Sequence, residues 1–202
     1  MTATLRFAAN ISARRGVSDG EEVNLDGLYI PLRDGDFRLD PLRDHHREPL
    51  RKACAEDAEI WDIYPYNYLG DAFDEQFERM RNGGIARRIY AITANDEVVG
   101  MTGWIASGEP GWSVESGNSY IVPRLRGTGM NRRIKKLMLD HAFASGLQRV
   151  GFKVDAVNRR SRAAVLKLGC TEEGLLRRER KTWTGRVRDT AIFSILADEW
   201  AG

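Results

Sequence analysis

Hydrophobic positions recur along this chain with two periods, and the switches between them divide it into elements. Leu28, Ile30 and Leu32 alternate with polar neighbours and predict a first strand, Gly35-Asp36 marks a turn, and Phe37 and Leu39 predict a short continuation. Over residues 44–63, Leu50, Ala53, Cys54, Ala58 and Trp61 recur at helical spacing, with Pro49 expected near a helix start or at a split. Tyr64-Pro65-Tyr66-Asn67-Tyr68 reads as an aromatic loop. Phe73, Phe77 and Met80 then give residues 71–82 one apolar helical side, ended by Gly83 and Gly84.

Period two returns at 89–93 and 98–105, joined by the turn Asn95-Asp96-Glu97, and again at 112–122 after a turn from Gly108 to Gly111. Pro123 ends that strand, since it offers no ladder donor. Met130, Ile134, Leu137, Met138 and Ala142 then line one helix face as far as Gly146, and Val150, Phe152 and Val154 alternate as the next strand. Strand, loop, helix, strand is a βαβ crossover, which requires a parallel pair and a right-handed connection. A second helix is predicted over 158–168, with Asn158 as N-cap and Gly169 as stop, and strands at 175–182 and 187–196 joined by Thr184-Gly185 close the chain. Residues 1–24 are polar and broken by Gly16, Ser18 and Gly20, so they are expected to form a flexible arm ahead of a single domain over 25–202.

Composition narrows the function classes. The 202 residues suit one sizeable domain, and a net charge of +2 from 31 basic and 29 acidic side chains carries no global nucleic-acid signature. Cys54 and Cys170 form no CxxC pair, and His45, His46 and His141 have no partners at metal spacing, so neither a metal nor a disulfide framework is expected. No signal-type apolar core and no run of about 18 apolar residues occurs, which makes a cytoplasmic protein with no membrane partner the expectation.

The chemistry gathers at Arg124-Leu125-Arg126-Gly127-Thr128-Gly129-Met130-Asn131, between a strand and a helix. A glycine-rich turn there presents unpaired backbone N–H groups at the positive end of a helix dipole, a ready site for phosphate. Arg132, Arg133, Lys135 and Lys136 sit where the dipole disfavours positive charge, at about 0.3–1 kcal/mol each, and an anion would offset that. A plain turn with a solvated basic face is the competing reading.

The stretch resembles the acetyl-CoA loop of the GCN5-related N-acetyltransferases: Gln or Arg, two residues, Gly, one residue, Gly or Ala. Asn158-Arg159-Arg160-Ser161-Arg162-Ala163 is similar to that family's Asn-x-x-Ser helix start, Leu168-Gly169 to its helix end, and Arg188-Asp189-Thr190 with Phe193-Ser194-Ile195 to the closing strand of its RimJ/RimL-like branch. The resemblance spans roughly residues 25–200. It implies an α/β fold with a mostly antiparallel mixed sheet, one splayed parallel pair and flanking helices. It also implies acetyl transfer from acetyl-CoA to a primary amine by direct attack. The backbone N–H groups of Arg126, Gly127, Thr128, Gly129, Met130 and Asn131 would hold the pyrophosphate, and Ile121, Val122 and Asn158 would meet the pantetheine arm. The family's frequent dimers make a homodimer through the C-terminal strands the assembly to test.

An alkyl amine is mostly protonated at neutral pH, so a base must take a proton before attack. Glu115, on the strand entering the loop, is the candidate, against a reading as a solvated strand carboxylate. A backbone N–H near Val122 is the expected donor to the oxyanion. The family's tyrosine seven residues after the Asn is here Val165. The branch instead implies that Ser161 donates to the CoA sulfur, against a reading as a helix-start cap. The position of a further glutamate in RimL-type proteins is Arg180, with Glu179 adjacent, which weakens a ribosomal-protein N-terminus as acceptor. Trp61, Tyr64, Tyr66, Asn67, Trp104 and Trp112 are the candidate acceptor pocket, although aromatics more often fill a core. Cys54 and Cys170 read as buried small residues rather than nucleophiles.

The acceptor stays open between a protein N-terminus and a small amine. Two other readings are a detoxifying acetyltransferase for an antibiotic or aminoacyl compound, and a non-catalytic CoA-binding sensor. A nucleotide-binding P-loop is disfavoured, because Met130-Asn131 stand where Lys and Ser or Thr would be needed.

Overall fold

The computed structural model describes residues 25–83 and 86–202, so the expected arm and Gly84 lie outside the described residues. Its elements are α1 (Leu25–Leu28), β1 (Leu32–Asp34), β2 (Phe37–Pro41), α2 (Arg47–Ala55), α3 (Ala72–Arg81), β3 (Arg87–Ala94), β4 (Glu97–Ala106), β5 (Ser113–Ile121), α4 (Met130–Ala144), β6 (Arg149–Asp155), α5 (Arg159–Leu166), β7 (Thr171–Lys181) and β8 (Val187–Leu196). They build one eight-stranded sheet in the order β1-β2-β3-β4-β5-β6-β8-β7, antiparallel throughout except for the β5–β6 pair. The expected α/β architecture with a single parallel crossover is therefore present.

Helices cover both faces, and β4 shows why. Thr102 donates to Met138 Sδ of α4 at 3.7 Å. Its neighbour Met101 faces the other way, meeting Asn118, whose amide also reaches Met80 of α3. Alternation along a strand thus sends α4 to one side and α3 to the other. Tyr120 joins α2 to that second face by donating to Ala53 O at 2.8 Å. One continuous apolar core runs through both layers.

Three boundaries differ from the sequence pattern. Leu28 and Ile30 do not belong to a strand: Tyr29 N–H closes a turn on Asp26 O at 3.1 Å, and the first strand begins at Leu32. The helix expected over 44–63 breaks after Ala55 and resumes as a 3₁₀ segment over Glu59–Ile63, where Asp57 Oδ1 captures Ile60 N–H and restarts the chain in a tighter turn. β7 begins at Thr171, four residues early, because its first half is held by ion pairs of Glu172 with Arg162 and Glu173 with Arg149 and so lacks an apolar alternation. Among the described residues, no helix is long and apolar enough to cross a membrane.

Candidate active site

The parallel pairing of β5 with β6 lasts three residues, from Ser113 opposite Arg149 to Glu115 opposite Gly151. Beyond Glu115 the strands part, and the cause is in β5. Its register against β4 shifts between Met101 and Gly103, where Asn118 takes φ +52° and supplies the extra residue of a bulge. Asparagine tolerates that left-handed backbone better than most residues, and Tyr68 donates to its Oδ1 at 3.2 Å. Gly100 makes room on the neighbouring strand, since a Cβ there would stand 2.1 Å from Tyr120 O. The bulge bends β5 away from β6 and opens a cavity of about 240 Å³.

Glu115 sits at the point of divergence, 8% exposed, with Oε2 held 3.1 Å from Lys153 Nζ. Oε1 lies beside Gly117, where an added Cβ would come within 3.2 Å of it and 2.6 Å of Ile105 Cδ1. Across the cavity Ser161 opens α5. Asn158 Oδ1 accepts the Ser161 N–H at 3.0 Å, so Asn158 is the cap, while the Ser161 hydroxyl has no partner among the described residues. Both residues line the cavity, as do Asn131 and Val165.

The glycine loop behaves differently from its side chains. Gly127 and Gly129 take φ +79° and +88° with open space around them, and the N–H groups of residues 127–132 have no acceptor among the described residues. Six such donors at the start of a fifteen-residue helix form a cradle for an anion. Arg126 is not part of it. Its N–H closes a turn on Pro123 O at 3.0 Å, and its guanidinium turns inward to Ile121 O at 2.8 Å and to Asp57. Of the four helix cations, Arg133 pairs with Asp34, Lys136 pairs with Asp140, and Arg132 alone is exposed and unpartnered among the described residues.

Lys135 is the residue the pattern misplaced. It is buried and its ammonium donates to Thr102, Ser116 and Ser119 at 2.8–2.9 Å, binding the two ends of the bulge to β4. No carboxylate faces it, and burial pulls its pKa down to about 7. The only available signal was its position, one residue after the apolar Ile134 of the helix face.

Val122 does not offer a free donor. Its N–H bonds Val99 O at 2.9 Å within the β4 ladder, and strand alternation instead turns the Ile121 N–H toward the gap. The aromatic set also divides. Tyr64 and Tyr66 line the cavity. The Tyr64 hydroxyl is bound to Ser119 O and burial pushes its pKa up to about 12, whereas Tyr66 carries Arg79 stacked 4.0 Å from its ring. Trp61 is fully buried, donating to Cys54 O at 3.0 Å and packed on Tyr68 and Tyr120. Trp104 is core, and Asn67 closes a turn on Leu69 N–H at 3.0 Å. Trp112 is 58% exposed beside the turn before β5. None of these four lines the cavity: large rings filled the core, and a short amide served its own backbone. Both cysteines are buried, and burial raises both thiols.

The model of the acetyltransferase (GNAT) domain matches residues 36–171, about two thirds of the chain and the whole cavity lining except Arg180 and Arg188. The chain belongs to the GNAT acetyltransferase family. Its enzymes transfer acetyl groups from acetyl-CoA, and the open N–H cradle and the strand gap leading to Glu115 fit that co-substrate. A putative acetyltransferase from T. thermophilus is 31% identical, with a TM-score of 0.75 over 84% of this chain and 90% of that one. A probable GNAT-family acetyltransferase from Chromobacterium violaceum is 26% identical, with a TM-score of 0.81 over 96% of this chain and all of the other. RimJ from Mycobacterium smegmatis, solved with CoA-disulfide, shares the fold at 22% identity and a TM-score of 0.71 over 85% and 88% of the two chains. No curated protein sequence matches the chain.

Proposed function

We propose that this GNAT enzyme acetylates a primary amine in the cleft between β5 and β6, with Glu115 as the base. The observation that carries this is the placement of a buried carboxylate where the strands part, opposite a serine hydroxyl that the protein leaves unused. Acetyl-CoA supplies the acetyl group activated as a thioester. Gly127 to Asn131 hold the pyrophosphate through backbone N–H groups, Arg132 adds charge at the rim, and Ile121 and Asn158 flank the pantetheine arm. Glu115 takes the proton of the acceptor amine, directly or through one water. The Ser161 hydroxyl donates a hydrogen bond to the departing sulfur, a part open to it because Asn158 already caps α5. Lys135 keeps the bulge closed on β4 and so holds the cleft open.

The acceptor side is built by Tyr64, Tyr66 and the β7–β8 hairpin, whose Trp183 donates to Trp61 O at 2.7 Å and so ties the hairpin over the aromatic loop. We place the enzyme in the cytoplasm with the RimJ/RimL-like branch, acting on a peptide N-terminus or small amine. β7, an edge strand with Leu175 and Leu176 half exposed, is the contact of a homodimer that a Leu176→Asp variant would dissolve, as read by sedimentation. Thiol release from acetyl-CoA across a panel of amines tests the activity. Release with some amine, lost in Glu115→Gln while acetyl-CoA still binds, supports the reading. Equal turnover in that variant removes Glu115 as base, and acetyl-CoA binding without release from any amine favours a sensor.

A further inference from the structure

The far wall of the cleft holds more positive charge than its carboxylates answer. Arg180 of β7 and Arg188 of β8 are direct cross-strand partners, an arrangement that is unfavourable for like charges unless an anion lies with them. Both line the same cavity as Glu115, and Arg180 is close enough to Glu115 and Tyr66 for their charges to interact. Arg180 is neutralised by its neighbour Glu179, with Nε and an amino group at 2.6 and 2.9 Å. Arg188 is not answered in this way. It is 6% exposed, its Nε donates to Thr190 Oγ1 at 2.9 Å, and its nearest carboxylate, Asp155, stands at 3.8 Å. Asp155 is already taken by Arg186.

The two amino groups of Arg188 therefore have no acceptor among the described residues, although they sit in a wall of the cavity. Neither amino group is sealed off from solvent, so both stand open on the cavity as donors for a ligand. Arg87, entering β3 on the rim of the same cavity, also makes no ion pair among the described residues. Of the two lysines in the lining, Lys153 is held by Glu115, and Lys135 is held by the hydroxyls of Thr102, Ser116 and Ser119.

We propose that the acceptor is an amine that also carries an anionic group, a carboxylate or a phosphate, which docks on Arg188 and Arg180 while its amino group faces Glu115. This rests on the acetyl-transfer reading of the same cleft. A guanidinium presents two parallel N–H donors that match the two oxygens of a carboxylate or phosphate, and Arg188 has that edge open. The anion also answers the facing of Arg180 and Arg188. A polyamine, cationic at both ends, would meet repulsion at this wall.

Calorimetry on the CoA-saturated protein with two matched pairs tests this: glycylglycine against glycylglycinamide, and phosphoethanolamine against ethanolamine. The anionic member of at least one pair should bind about tenfold or more tighter than its neutral twin. The pair with the larger ratio says whether carboxylate or phosphate is the group. Arg180→Gln, at a half-exposed position, and Arg188→Lys, which keeps the charge facing Asp155, should each shrink that ratio severalfold with the melting temperature retained. Equal binding within both pairs, no measurable binding of any of the four, or a preference that neither variant alters would overturn the proposal. Thiol release with the same amines separates the two readings. Anion-selective binding without release leaves the docking wall standing and removes the acetyl transfer, whereas release at equal rates within each pair removes the wall alone.

Discussion

The two ends of the cleft are made of different material. At the loop end, residues 127–132 present backbone N–H groups, and the side chains nearby turn away or pair elsewhere: Arg126 inward, Arg133 to Asp34, Lys135 into the core. At the opposite end, Glu115, Tyr66, Arg180 and Arg188 converge from β5, the aromatic loop, β7 and β8, and the backbone contributes little beyond placing them. A site made of backbone needs only glycines in one contiguous stretch. A site made of side chains needs the whole sheet to be in register.

That difference offers several ways to break one end without the other. The largest effect is expected at Glu115: replacing it with Gln should lower kcat/KM by about 100-fold or more, with the acetyl-CoA dissociation constant unchanged by calorimetry. At the other end, Gly129→Ala forces a side chain into a backbone with φ +88° and nothing to contact. It should raise the CoA dissociation constant by about tenfold, a cost of about 1–2 kcal/mol, and leave kcat at saturating acetyl-CoA close to wild type. Shared loss of both parameters in either variant would erase the distinction.

At the start of α5 the proposed chemistry of Ser161 can be tested apart from the capping by Asn158. Ser161→Ala should lower kcat by about tenfold, the loss of one hydrogen bond to a charged sulfur, and leave the melting temperature unchanged. Asn158→Ala should instead cost about 1 kcal/mol of stability, because its side chain is the one that meets the Ser161 N–H.

Lys135 offers an effect of a different kind, read as a pH profile. Its pKa is depressed in the fold to about 7, so above that value the unfolded chain binds more protons than the folded one. Its contribution to stability therefore rises with pH from about 7 toward the ordinary lysine value of about 10.4, and below 7 it is constant and unfavourable. The difference in melting temperature between wild type and Lys135→Met should change across that window and be flat below it. The smallest effect belongs to Trp112→Ala, which should alter stability by no more than about 0.5 kcal/mol and leave turnover alone, since the ring lies outside the cleft.

The same contrast explains what the sequence made legible. The crossover, the glycine loop and the Asn158 cap each rest on contiguous residues with local causes, and each is found where the pattern placed it. The aromatic residues are distributed by packing, which no local pattern encodes, and so Trp61 and Trp104 went to the core while Tyr64 and Tyr66 reached the cleft. The sequence pattern groups Lys135 with the cations that an anion at the helix start would offset, because helix periodicity places a residue on a face but does not say which hydroxyls await it there. The bulge at Asn118 was hidden for a similar reason: an extra residue is visible only against the partner strand. Arg180 and Arg188 needed the β7–β8 register before they could be seen as facing one another.

Amide hydrogen exchange with and without acetyl-CoA tests most directly whether the backbone end holds the co-substrate. Exchange should slow at residues 127–132 and at Ile121, whose N–H groups are open in the free protein, with little change at the tip of the β7–β8 hairpin. Protection that appears at the hairpin while residues 127–132 exchange as before would contradict the account.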